Sequence, residues 1–116
     1  MARILVIDDE KEILGVVETF LVRKGLEVMT AQDGKRGLQA LDEGGTDIDL
    51  IVLDHKMPYL DGAGVLEEMK KRGIRKPVIL LTGSIGKDTR DLEVDELLLK
   101  PIDLNELFVK IRDLIG

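Results

Sequence analysis

Residues Leu5–Glu12 read LVIDDEKE. An apolar run stops on two adjacent aspartates, Asp8 and Asp9, and charge follows. Neighbouring carboxylates repel, so the pair needs water, a helix start or a cation to settle it. The rest of the chain decides which. Similar short apolar runs recur as ARILVID (2–8), LEVMTA (26–31), DLIVLD (49–54) and PVILLT (77–82), with ELLLKP (96–101) a weaker fifth. Runs that are apolar on both faces fit strands of a parallel sheet covered on both sides.

Helical patterns lie between these runs. In residues 11–24, Ile13, Leu14, Val17, Phe20, Leu21 and Lys24 recur at helical spacing, and Gly25 follows as a stop. Residues 34–43 form a weaker helix with Leu38 and Leu41 inward. Asp61 is placed to cap a helix carrying Val65, Leu66 and Met69, stopped by Gly73. Asp103 is placed to cap the last helix, with Glu106 three residues on as in a capping box, and Leu104, Leu107, Phe108, Ile111 and Leu114 form its stripe. Strands alternating with helices imply a doubly wound α/β sheet with right-handed crossovers. The breaks at 43–47 and 72–77 are loop-sized and no repeat appears, so residues 1–116 are read as one domain.

Composition narrows the function. Hydrophobic residues make up 44% of the 116 and aromatics 3%, so the core is aliphatic and the composition argues against stacking on bases or sugars as the main activity. A net charge of −6 disfavours direct nucleic-acid binding. The densest basic group, KKRGIRK (70–76), reads as a helix C-terminus complementing its dipole. The absence of cysteine rules out disulfides, thiolate metal sites and thiol nucleophiles. With no signal-peptide pattern and no membrane-length apolar run, the expectation is a cytoplasmic protein without membrane insertion.

In open α/β sheets functional groups collect at the carboxyl ends of the strands. Here the first strand ends in Asp8 and Asp9, the third in Asp54, the fourth in Thr82 and the fifth in Lys100. Clustered carboxylates call for a hard cation, and magnesium takes oxygen ligands from one or two carboxylates plus a phosphate. A carboxylate is also a nucleophile toward phosphorus, while a lysine and a hydroxyl neutralise and position phosphoryl oxygens. Each residue taken alone has a plain alternative: a helix start for Asp8 and Asp9, a turn cap for Asp54, ordinary strand-end and loop roles for Thr82 and Lys100. Their ordered arrival at strand ends favours one site.

These residues make the chain resemble a receiver domain of two-component response regulators. The resemblance rests on the DD pair, LDHKMPYLDG around Asp54, LLTG with Thr82 and LLLKP with Lys100. It implies a flavodoxin-like, five-stranded parallel sheet of order 2-1-3-4-5 with helices on both faces. It implies that Asp54 accepts a phosphoryl group from a histidine kinase or phosphotransfer protein. It further implies that Asp9 binds Mg2+ directly, that Asp8 helps through water, and that the Lys56 backbone carbonyl is another ligand. Thr82 and Lys100 would bind phosphoryl oxygens, with Pro101 following in cis. The protein would catalyse only its own phosphorylation and dephosphorylation, and phosphorylation would change binding to a downstream effector.

Some segments depart from the family pattern. GSIGKDTRDLEVDE, between Thr82 and Lys100, leaves room for only one or two turns of a fourth helix. Leu97 stands where the family carries an aromatic switch residue, so a phosphate-independent interaction module is the competing expectation. GSIGKDT lacks the spacing of a phosphate-binding loop. His55, the only histidine, is expected on the opposite side of the chain from Asp54, as a loop residue at a partner surface. Lys56 sits where the family tunes hydrolysis of its acyl phosphate.

Overall fold

The computed structural model describes residues 2–44 and 47–116, so the loop expected at 43–47 lies partly outside the described residues. Strands and helices alternate: β1 Arg3–Ile7, α1 Lys11–Arg23, β2 Glu27–Ala31, α2 Gly34–Gly44, β3 Leu50–Asp54, α3 Gly62–Lys71, β4 Val78–Thr82, α4 Lys87–Arg90, β5 Glu96–Leu99 and α5 Leu104–Ile115. The five strands pair in the order β2-β1-β3-β4-β5, all parallel. The sheet and each expected helix are as read from the sequence, with helix four reduced to one turn.

The helix ends follow their residues. α1 closes on Gly25 at φ +89°, and α3 on Gly73 at φ +69°, conformations that cost glycine nothing. In both, the residue after the glycine bonds back across the last turn: Leu26 N–H to Leu21 O at 3.2 Å, and Ile74 N–H to Met69 O at 2.9 Å. Asp61 caps α3 by accepting from Gly64 N–H at 2.9 Å, and Asp103 caps α5 by accepting from Glu106 N–H at 3.1 Å. The single turn of α4 is clipped by Thr89, whose buried hydroxyl accepts from Gly86 N–H at 2.9 Å and donates to Gly86 O at 3.0 Å.

The sheet divides the core into two layers. Leu5, Ile7, Ile51, Leu53, Val78 and Leu80 face α2 and α3, meeting Leu38, Leu41, Val65 and Met69. Ile4, Val6, Leu50, Val52, Ile79 and Leu81 face α1 and α5, meeting Leu14, Val17, Leu21, Leu107 and Ile111. Leu92 and Val94, just beyond α4, pack against the first layer. All five residues of β3 and all five of β4 are buried, which explains why both runs lack polar alternation. Lys24, counted in the α1 stripe, is exposed, but its Nζ lies 5.4 Å from the Phe20 ring and 5.5 Å from the Phe108 ring, tying α1 to α5.

Candidate functional site

Parallel pairing brings the strand ends to one edge. Asp8 continues β1, its N–H on Ala31 O at 3.1 Å, and Lys100 continues β5, its N–H on Thr82 O at 2.7 Å. Alternation then sorts the side chains. Asp8, Asp54 and Lys100 follow Val6, Val52 and Leu98, all in the α1/α5 layer. Thr82 follows Leu80, and His55 follows Leu53, both in the α2/α3 layer. The site straddles the end of the sheet.

Four of the sequence-predicted residues, Asp8, Asp9, Asp54 and Lys100, converge. Oxygens of Asp8, Asp9 and Asp54 lie within 4.8 Å of one another. Asp8 and Asp54 are buried, whereas Asp9 is exposed. Each buried carboxylate is only half satisfied. Asp8 Oδ1 accepts from Glu10 N–H at 2.9 Å, which turns the chain into α1. Asp54 Oδ1 accepts from Lys100 Nζ at 2.6 Å. Asp8 Oδ2 and Asp54 Oδ2 are buried without a partner. Two orphaned anionic oxygens beside a third carboxylate are costly by themselves and suit a hard cation with oxygen ligands, so the residues present fit Mg2+.

The electrostatics agree. Burial pushes the Asp8 carboxyl up from 3.8 to about 6, against the Glu10 N–H bond, with Asp54 adding repulsion. Burial also raises Asp54, although the Lys100 hydrogen bond and charge oppose the rise. Burial alone would lower Lys100; its bond to Asp54 and the Asp54 charge outweigh that and hold the ammonium above its ordinary range.

The loop after β3 explains the string from Asp54 to Gly62. Met57 is buried and Asp61 caps α3. Gly62 N–H donates to His55 O at 2.8 Å, and a Cβ on Gly62 would come within 2.7 Å of Asp54 O. Only glycine lets α3 start this close to the end of β3. The Lys100–Pro101 peptide is cis. Lys56 is exposed, with Nζ 3.6 Å from Asp88 Oδ2.

His55 corrects the sequence reading. It does turn away from Asp54, but it is buried rather than displayed at a surface. Its N–H bonds Leu81 O at 2.9 Å, and its Nδ1 lies 3.1 Å from Thr82 Oγ1. The signal was present in the strands: Asp54 pairs with Leu81, so the next residues, His55 and Thr82, also stand side by side.

Comparisons place this architecture among known proteins. The chain is 33% identical to the transcriptional regulatory protein PcoR of Escherichia coli, over 99% of this chain and 52% of that protein. It thus spans about half the length of the curated relatives it matches. A response regulator receiver domain protein from Clostridium thermocellum superposes with a TM-score of 0.90 at 37% identity, covering 99% of this chain and 94% of the other. The response regulator TrrA of Thermotoga maritima, solved in complex with Mg(2+)-BeF, gives a TM-score of 0.85 at 34% identity, over 98% of this chain and 99% of that one. A family model described as the response regulator receiver domain matches residues 4–112, so the chain belongs to the response regulator receiver domain family of two-component systems.

Proposed function

We propose that this chain is a phosphorylation-dependent signalling switch in which Asp54 accepts a phosphoryl group from a histidine kinase or histidine phosphotransfer protein. The observation that carries the reading is the half-satisfied pair, Asp8 and Asp54, each with one bonded and one orphaned oxygen. Asp8 and Asp9 would hold Mg2+ with Asp54 and the Lys56 backbone carbonyl. When bound, the ion supplies neutralisation of the converging negative charge. A free Asp54 oxygen forms the new bond to phosphorus as the bond to the donor's imidazole nitrogen breaks, and that nitrogen keeps the bonding electron pair. Lys100 orients Asp54 through Oδ1 before transfer and pairs with a phosphoryl oxygen after it. Thr82 supplies a hydroxyl to another oxygen. The protein works in the cytoplasm, residues 1–116 act as one receiver unit, and this domain contacts no nucleic acid directly. Downstream, the phosphorylated state changes binding to an effector protein or domain.

Intact mass after incubation with magnesium and a small phosphodonor, beside Asp54→Asn, tests this. One phosphoryl group gained by the wild type, dependent on magnesium and absent from the variant, is expected. A folded protein that gains none would leave a phosphate-independent interaction module as the better reading, one that draws support from the one-turn α4 and from Leu97.

A further inference from the structure

The Thr82 hydroxyl has one proton and more than one partner. Oγ1 lies 2.9 Å from Ser84 O and 3.1 Å from His55 Nδ1. A carbonyl oxygen only accepts, so with the hydroxyl proton on its shortest contact, to Ser84 O, the Thr82 oxygen accepts from His55 Nδ1 and, at 3.4 Å, from Ser84 N–H. His55 is therefore the tautomer with its proton on Nδ1. Its other nitrogen, Nε2, is then an acceptor that faces Asp88 Oδ2 at 3.9 Å in the one turn of α4, a repulsive contact with no hydrogen bond, and Lys56 Nζ, 3.6 Å from the same oxygen, screens it. His55 is buried and Asp88 exposed, so this ring is a bridge between the site and the surface.

We propose that His55 is a positioning residue for Thr82: it holds the threonine hydroxyl in the unphosphorylated state, and release of that bond on phosphorylation moves the ring and, through Asp88, α4. The proposal rests on the phosphorylation of Asp54 stated above. A hydroxyl turned to a phosphoryl oxygen must give up Ser84 O as acceptor, and movement of Oγ1 lengthens its contact with the Nδ1–H. The ring cannot follow by backbone motion. Its N–H is tied to Leu81 O, and its carbonyl to Gly62 N–H. The remaining freedom is rotation of the side chain, which carries Nε2 past Asp88. α4 is suited to respond, because its internal support is the Thr89 clip and a few backbone bonds accepted by the Gly86 and Lys87 carbonyls. Leu97, on the neighbouring strand and in the same layer, has no polar atom with which to take part.

The test is nitrogen NMR of the His55 ring in the full chain, free and with magnesium and beryllium fluoride as phosphoryl mimic. Both ring nitrogens are expected to shift, together with the amides of residues 84–91. Phosphorylation rates, read by mass with a small phosphodonor, supply the second measurement. His55→Leu removes the donor and should speed phosphorylation by about threefold to tenfold, the range for one neutral hydrogen bond. His55→Asn places an amide N–H where Nδ1 was and should restore the wild-type rate, yet lose the α4 response because it cannot reach Asp88. Asp88→Asn should keep the rate and weaken that response. Ring nitrogens that stay put when the mimic binds, or a His55→Asn rate matching His55→Leu, would overturn the role of His55 and leave the site reading intact. A wild type that takes up neither mimic nor phosphoryl group would overturn both. Should His55→Leu not fold, the wild-type ring shifts and His55→Asn still decide.

Discussion

Replacing Asp8 by asparagine should stabilise the metal-free protein. The amide keeps an oxygen for Glu10 N–H, and the change removes a buried negative charge whose second oxygen has no partner. The native carboxyl titrates at about 6, the unfolded one at 3.8. At about 1.36 kcal/mol per pKa unit, that gap is worth about 3 kcal/mol at neutral pH as a ceiling. The sign follows from proton counts. Between 3.8 and about 6 the native state holds the proton and the unfolded state does not, so wild-type stability falls as pH rises through this window. Above it the full penalty applies; below it there is none. Urea unfolding of both proteins without magnesium, at about pH 7.5 and near pH 4, reads the difference directly. The variant should gain about 1–3 kcal/mol at the higher pH, and the gain should shrink toward zero at the lower. An equal gain at both values, or none at the higher, would refute burial of the Asp8 charge as its origin.

Three further outcomes follow from the same structure. Magnesium at about ten times its dissociation constant should raise wild-type stability by about 1.4 kcal/mol and do little for an Asp8→Asn/Asp9→Asn double variant, as thermal melts with and without the ion would show. Gly62→Ala should destabilise by about 2 kcal/mol or more, because the added carbon meets Asp54 O and the His55 Cα; a chemical denaturation midpoint close to wild type would contradict the tight entry into α3. Leu107→Ala should remove about 2–5 kcal/mol by opening a hole where α5 meets the sheet, checked by the same unfolding curve, and a loss under about 1 kcal/mol would show that α5 collapses to fill it.

The sheet was legible because its strands are buried on both faces, which leaves continuous apolar runs, and because parallel connections restrict topology. The order β2-β1-β3-β4-β5 itself came through resemblance; periodicity alone does not order parallel strands. The convergence of Asp8, Asp9, Asp54 and Lys100 was readable from one rule about strand ends. The half-satisfied state of Asp8 and Asp54 was not, since which oxygen meets Glu10 N–H or Lys100 Nζ depends on three-dimensional placement. His55 was read correctly in direction and wrongly in burial. Alternation gives the side to which a residue turns, while burial depends on what covers that side, which spacing along the chain does not give. Lys24 was the reverse case: helical spacing put it on the apolar stripe, and its long stem let the charge stay in water over two aromatic rings.

The division of the core by the sheet has a consequence for how such a protein can change over generations. The wholly buried β3 and β4 act as a partition, and the buried apolar side chains of the described residues fall into two separate clusters, one on each face. Residues on α1 and α5 can be exchanged without repacking α2 and α3, and the reverse holds too. Asp54 and Lys100 lean toward one compartment, Thr82 and His55 toward the other, and the two meet only at the sheet's end. Recognition on one flank and response on the other are thereby free to diversify separately, provided the few residues at that end stay as they are.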